Sequence, residues 1–194
     1  ALAAWRALYF KPGVYQPSRE KSVEWNRGAY LVQGLGHCSA CHSSRTTLGG
    51  SDDGLSGGLI PVLGWYAPSL TSDAEAGLGD WDTAHIVELL QTGVSPRATV
   101  FGPMAEVVRQ SLQHMETGDV QAMAVYLKSL PGPTQAARRT PRDTSEAAKQ
   151  QLALGAKLYE AQCASCHQAD GKGMPPAYPP LAGNRALTTD TAVN

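Results

Sequence analysis

Apolar residues recur at helical spacing in three stretches of the chain. Residues 119–130 carry apolar side chains at positions 120, 123, 124, 127 and 130, which is the stripe of an amphipathic helix. Thr117 is placed to cap the start of this helix, and the Pro-Gly-Pro run at 131–133 to stop it. Shorter helices are predicted from Asp82 to Thr92 and from Ala105 to His114. The pattern predicts a mainly α fold.

Strand signals are weak, and the remaining sequence is loop-like. The run Leu59–Leu63 fits a small hairpin, while 20 glycines and 13 prolines favour loops elsewhere. Two segments are similar to each other: RGAYL from Arg27 and LGAKLY from Leu154. Each places a glycine on a predicted helix, where it permits close approach by a crossing helix. We therefore expect a distant internal repeat.

All four cysteines lie in two copies of Cys-x-x-Cys-His, at residues 38–42 and 163–167. This is the attachment signature of a c-type haem. Its two thiols bond the vinyl groups of one haem, and the next residue, His42 or His167, lies beneath the iron as its axial ligand. We predict two covalently bound haem groups (haem c, with iron), attached through Cys38, Cys41, Cys163 and Cys166.

Three other uses of the cysteines explain less of the sequence. A disulfide within each pair gives no role to the histidine that follows it. One zinc ion shared by the four thiols leaves both histidines unused. A thioredoxin-like redox motif expects an α/β pattern nearby, which the sequence lacks.

Bulk properties limit the partners and the location. The formal net charge of −1 gives no basic footprint for nucleic acid. No segment approaches the ~20 apolar residues that span a bilayer. The first ten residues are apolar but contain Arg6, and we interpret them as a packing helix or linker docked on a neighbour. Because covalent haem attachment takes place outside the bacterial cytoplasm, we expect a periplasmic protein whose export signal has been removed.

The chain divides into four parts. Residues 1–21 form an N-terminal linker segment, and residues 22–131 a first haem domain. Residues 132–145 form an exposed linker, and residues 146–194 a second haem domain. Only 28 residues follow Cys166, and they are rich in proline. We therefore expect the second domain to be incomplete, without a closing helix. The linker is marked by Pro133, Arg138, Arg139, Pro141 and Arg142.

Each axial histidine is expected to donate its second ring N–H to a backbone carbonyl, which fixes the ring. For His42 that carbonyl should lie near Pro68, and for His167 near Pro179.

The opposite axial position of the first iron has several candidates. Met104 is favoured, since it lies in a predicted extended loop, 62 residues after His42. A thioether ligand raises the potential of a haem relative to a second imidazole. Met174 is too close to the second motif to reach the far side of its iron, so we expect that ligand to lie outside this chain. The other candidates for the first iron are Met115, Met123, His85 and His114.

Four side chains are candidates for binding the propionates of the first haem, although packing or surface roles explain each of them equally well. They are Arg45, Trp65, Tyr66 and Trp81.

Longer strings around these residues resemble one protein family. RGAYLVQGLGHC and SACH (27–42), GWYAPSLT (64–71), GPMAEVV (102–108) and AVYLKSLP (124–131) are similar to the multihaem cytochrome c subunits of membrane-associated bacterial dehydrogenases. That family includes subunits of alcohol, gluconate, sorbitol and aldehyde dehydrogenases. The resemblance implies tandem class I cytochrome c-like domains, with this chain similar to the second and third of three. It also implies that His42 and Met104 form one axial pair and that His167 belongs to another.

The resemblance and the motifs together favour electron transfer over catalysis. The expected function is to pass single electrons from a partner dehydrogenase towards quinone or a terminal oxidase. The protein would lie at the outer face of the inner membrane, held there by its partner or by a missing C-terminus. A dihaem enzyme of the peroxidase or thiosulfate dehydrogenase type, with an open second iron, is the alternative. A binding module without haem is a third hypothesis.

Overall fold

The structure is a computed structural model that describes residues 2–51, 54–74, 76–132, 143–174, 177–184 and 187. It is mainly helical, as the sequence pattern predicts. One antiparallel hairpin pairs β1 (Gly58–Ile60) with β2 (Trp65–Ala67), placing Leu59 opposite Tyr66. The helices are α1 (Leu2–Tyr9), α2 (Val23–Tyr30), α3 (Ser39–His42), α4 (Thr83–Thr92), α5 (Pro103–Gln110), α6 (Thr117–Ser129), α7 (Glu146–Gln162) and α8 (Ala164–His167). A π-helical turn (Leu31–Leu35) follows α2, and a 3-10 turn (Leu112–His114) follows α5.

The crossing of α2 over α6 organises the first half of the chain. At Gly28 the helices are so close that an added Cβ would overlap the carbonyl oxygen of Ala122 and lie 2.8 Å from Cβ of Tyr126. Trp25 packs edge-on against Tyr126, with ring centroids 5.1 Å apart, and its indole donates to Ser129 at 2.6 Å. Because only glycine leaves space for the backbone of the crossing helix, the predicted repeat glycine has a packing role here.

Helix α6 is buried more widely than its apolar stripe predicts. Val120, Met123, Ala124 and Leu127 are buried as expected, but Ala122 and Tyr126 are buried as well, on the side that meets α2. The predicted cap at Thr117 is wrong. The helix begins at Thr117, and its extended N-cap is Glu116, which makes no side-chain capping bond. The Thr117 hydroxyl instead accepts a hydrogen bond from Gln91 at 3.1 Å.

The two shorter helices differ in detail from their predictions. Helix α4 starts at Thr83, with Asp82 as an extended N-cap, and buries Ile86. The single helix predicted from Ala105 to His114 is divided at Ser111, whose backbone leaves the helical range, into α5 and the 3-10 turn. Helix α5 begins earlier, at Pro103, because proline at the first helical position has a suitable φ and needs no N–H partner.

The N-terminal helix α1 contacts the loop at residues 46–50, within residues 22–131, which we call the first unit. The helix expected in the first ten residues is present, while docking on a neighbour stays a prediction. The Trp5 indole donates to the Leu48 carbonyl at 3.0 Å, and the hydroxyls of Tyr9 and Thr46 are 3.2 Å apart. The Tyr9 ring also lies against the backbone of Gly50.

Helix α7 lacks the packing that its counterpart α2 has. Ser145 caps it by accepting from the Ala148 amide at 3.1 Å. Within the part of the chain that the structure describes, α7 buries no residue, and no atom lies within 4 Å of a Cβ added at Gly155. Leu152, Leu154 and Leu158 are all more than half exposed.

Most of the predicted linker lies outside the described residues. Pro133, Arg138, Arg139, Pro141 and Arg142 all fall in that stretch. Of the residues that are described, none belongs to a helix with the length and apolar character required to cross a membrane.

Candidate functional site

Both Cys-x-x-Cys-His motifs fold as the same short helical turn. In the first, the amides of Cys41 and His42 donate to the Cys38 carbonyl at 3.2 and 2.9 Å. In the second, the corresponding amides donate to the Cys163 carbonyl, again at 3.2 and 2.9 Å. Residues three positions apart lie on one face of a helix, so each turn presents its two thiols on the same side, with the histidine next to them.

The histidine of the first motif is buried and held by a backbone carbonyl. His42 is 9% exposed, and its Nδ1 lies 2.7 Å from the Pro68 carbonyl oxygen. Burial lowers the pKa of His42 and so favours the neutral imidazole. The next residue, Ser43, is fully buried, and its hydroxyl accepts from the Leu55 amide at 3.0 Å. The predicted hydrogen bond to Pro68 is present, and it sets the orientation of the ring.

The second histidine is held in the same way. Nδ1 of His167 lies 2.9 Å from the Pro179 carbonyl oxygen, as predicted. The end of this motif is fixed further by Tyr159 of α7, whose hydroxyl donates to the Gln168 carbonyl at 2.7 Å. The Tyr178 ring lies edge-on to the imidazole, with centroids 6.1 Å apart.

These residues fit a covalently bound haem at each turn. A neutral imidazole that donates from Nδ1 carries its lone pair on Nε2, the nitrogen that would bind iron. All four cysteines are free thiols. Burial raises the pKa of the Cys38 thiol to about 11. Among the described residues, which include every cysteine, no three His, Cys, Asp or Glu side chains are grouped to hold a metal ion. The shared zinc site is therefore not assembled, and neither is a disulfide.

The structure places Met104 differently from the sequence prediction. The extended loop expected there is wrong, because Met104 lies in the first turn of α5, half-buried and packed against the core. Met123 is 2% exposed within that core, as its stripe position predicts.

The remaining candidates for iron ligands lie on helices, turns or loops, each with its own contacts. Met115 is half-buried next to the 3-10 turn, and His114 is exposed. His85 lies on α4 with its Nδ1 3.7 Å from a carboxylate oxygen of Asp82. After the second motif, Met174 pairs its backbone with Tyr178 on the same loop as Pro179.

The four candidate propionate ligands differ in their contacts, which include hydrogen bonds to carbonyls, core packing and positions on a strand. The Arg45 guanidinium donates to the carbonyl of Ala40, inside the first motif, and to that of Gly49 at 3.1 Å. Trp81 packs half-buried against the core, with the Arg97 guanidinium 5.8 Å above its ring. Trp65 and Tyr66 lie on β2. Arg45 therefore braces the first attachment turn, a role that its position in the sequence does not reveal.

Two residues of the site were missed by sequence reasoning. The buried hydroxyl of Ser43 anchors the chain just after the first histidine, and nothing in the local pattern marks it. The Tyr159 hydroxyl fixes the second motif, a role that the repeat segment LGAKLY did not indicate.

Comparison with known proteins gives a consistent result. The sequence profile of the cytochrome c family matches residues 152–194, which contain the second motif. The chain is 40% identical to the cytochrome c subunit of a quinone alcohol dehydrogenase from Gluconobacter oxydans, over 97% of this chain and 42% of that protein.

Two further relatives are similar over most of this chain. The gluconate 2-dehydrogenase cytochrome c subunit of Pantoea cypripedii is 37% identical, over 93% of this chain and 44% of its own length. The fructose dehydrogenase cytochrome subunit of Gluconobacter japonicus is 34% identical, over 90% of this chain and 39% of its own length. The chain thus spans about two fifths of the length of these relatives.

Proposed function

Because this chain belongs with the cytochrome c subunits of bacterial dehydrogenases, we propose that it carries single electrons from a catalytic dehydrogenase subunit towards a quinone or a terminal oxidase. It does so as an electron-transfer subunit, not as the catalytic one. The relatives are themselves named as cytochrome subunits of alcohol, gluconate and fructose dehydrogenases.

The observation that carries the proposal is the pair of matching attachment turns. Each has two free thiols and a histidine whose Nδ1 is held by a proline carbonyl, at 2.7 Å for His42 and 2.9 Å for His167. A haem bound at each turn supplies an iron that cycles between its ferric and ferrous states and so carries one electron. The protein's part is to fix the axial imidazole and its hydrogen bond, which tune the potential.

We further propose that residues 22–131 form the first haem domain and that residues 146–194 belong to a second. The family resemblance supports His42 and Met104 as the residues that would hold the first iron from its two sides, and an iron held in this way would favour electron transfer over binding of substrate. His167 is one axial ligand of the second site.

The proposed location is the periplasm, at the outer face of the inner membrane. Covalent haem attachment by thiol pairs takes place outside the bacterial cytoplasm, which supports this location. The catalytic subunit, or another part of the full-length protein, holds it at the membrane.

The test uses the full-length protein purified from its native membranes. The expected result is that a dehydrogenase subunit copurifies and that, without oxygen, its substrate reduces the haem groups, seen as sharpened visible bands. Haem groups that stay oxidised while the copurified enzyme turns over with an artificial acceptor contradict the proposal. Peroxide turnover by the purified protein without any partner would instead identify a dihaem enzyme.

A further inference from the structure

The turn between β1 and β2 exposes apolar side chains at its tip. Val62 is 94% exposed and Leu63 is 55% exposed. The turn itself is formed by backbone hydrogen bonds, since the amides of Leu63 and Gly64 donate to the Ile60 carbonyl at 3.1 and 2.9 Å. Polar residues would form such a turn equally well. The apolar tip therefore favours a role in contacts outside the chain.

A second exposed segment joins this tip through Trp65. Phe101 is 57% exposed, and its ring packs on that of Trp65 with centroids 5.6 Å apart. The Trp65 ring also lies against Gly102, where an added Cβ would come within 2.8 Å of it. We name Val62, Leu63, Trp65 and Phe101 the hairpin patch.

The hairpin patch is attached to both sides of the first haem site. Strand β2 runs directly into Pro68, whose carbonyl holds His42. At the start of the hairpin, the Gly57 amide donates to the His42 carbonyl at 2.8 Å. At the other end, Phe101 precedes Met104 by three residues. A protein docked on this patch therefore lies next to the first haem.

The chain around the patch carries no charge. Residues 54–72 and residues 98–105 contain no Asp, Glu, Lys, Arg or His. Partners that meet and separate by diffusion are guided by complementary charges. Permanent interfaces are instead apolar at their centre and depleted of charge. The hairpin patch, which is apolar and lies in uncharged segments, therefore resembles a permanent interface.

We propose that the hairpin patch is the surface through which the first haem unit docks permanently on an apolar, uncharged face of the catalytic dehydrogenase subunit. This inference rests on the proposed function, and it adds the place and the chemistry of the contact.

The experiment compares charged substitutions at two highly exposed valines. The full-length protein is tagged, expressed in its native host and captured with its partners in detergent. Val62→Asp and Val62→Lys are tested against Val23→Asp and Val23→Lys, because Val23 is 88% exposed on the first turn of α2, outside the patch. The catalytic subunit is identified by peptide sequencing, and its amount per haem is measured.

Both Val62 variants are expected to retain about tenfold less catalytic subunit than the wild type, the effect of about 1.4 kcal/mol at an interface. The loss should be the same at about 0.05 M and about 1 M salt, because screening does not weaken an apolar contact. The Val23 variants should retain the wild-type amount. Haem per chain, read from the visible spectrum, should be unchanged in all four. Leu63→Asp repeats the test at a second position.

Three outcomes would overturn the inference. Full retention of the subunit by the Val62 variants removes the patch from the interface but leaves the proposed function intact, because the wild type still captures its partner. A loss with only one sign of charge means that the contact is electrostatic. If the wild type itself captures no dehydrogenase subunit, the proposed function fails together with the docking surface.

Discussion

At each of the two attachment turns, one backbone carbonyl fixes the orientation of the histidine ring. His42 and His167 are each held by the carbonyl of a proline, 26 and 12 residues further along the chain. Proline suits this position because its ring restricts the backbone that carries the carbonyl. The motifs were predictable because each is a short contiguous string and together they contain all four cysteines. The carbonyl partners were predicted at Pro68 and Pro179, in the segments that follow the two motifs. The bracing of the first turn by Arg45 was not, because it depends on how a loop folds back.

Met104 offers a direct test of the first axial pair. Met104→Ala is expected to lower the midpoint potential of one haem by about 0.1 V or more and to change its visible spectrum, because axial ligands spread haem potentials over about 0.8 V. Met115→Ala is the matched control, since Met115 is also half-buried against the core but lies outside the proposed pair. The measurement is a spectroscopic redox titration. An unchanged potential in the Met104 variant would remove this residue from the iron.

Two helices of similar sequence have different surroundings. Helices α2 and α7 each carry a glycine before their attachment turn, but α2 is crossed by α6 and α7 buries no residue in the described structure. The spacing also differs, with ten residues from Gly28 to Cys38 and eight from Gly155 to Cys163. The π-helical turn Leu31–Leu35 lies in the longer spacing. Helical periodicity predicted the helices themselves, but the π turn and the break at Ser111 depend on tertiary packing, which periodicity does not report.

The two glycines should respond in opposite ways to the same substitution. Gly28→Ala is expected to destabilise the first unit by about 1–3 kcal/mol, because the new methyl group overlaps the backbone of α6. Gly155→Ala meets open space in this chain and should be neutral or stabilising by up to about 1 kcal/mol, the difference in helix propensity. Denaturant unfolding followed by helical circular dichroism measures both. Equal destabilisation by the two variants would contradict the described crossing.

At the scale of the whole molecule, two attachment turns in one chain predict that it carries two haem groups. The mainly α character was predictable, because it rests on helical periodicity. The tandem repeat of haem domains stays a prediction from the duplicated motif. The core of the first unit was only partly predictable, since the burial of Ala122 and Tyr126 arises from a second helix packed on the side of α6 away from its apolar stripe.

Removal of the second thiol pair should separate the two haem groups. The double variant Cys163→Ala with Cys166→Ala is expected to carry half the haem of the wild type and to lose the mass of one haem group. The first unit should keep its potential, because its histidine, its carbonyl partner and Met104 are unchanged. Intact mass and the haem spectrum per chain check this. Wild-type protein that is colourless, or whose mass equals that of the polypeptide, would contradict covalent haem altogether.

The α2–α6 crossing has a consequence for the order of events during biosynthesis. Its polar contacts join residues 92 to 104 positions apart, as in Arg27 with Asp119 and Trp25 with Ser129. Cys38 and Cys41 therefore leave the ribosome, and on the proposed periplasmic location also the export channel, long before the helix that closes over α2. During that interval the nascent chain is open around its first thiols. The enzymes that attach the cofactor can thus work on an accessible chain, and closure follows when the last part of the unit arrives.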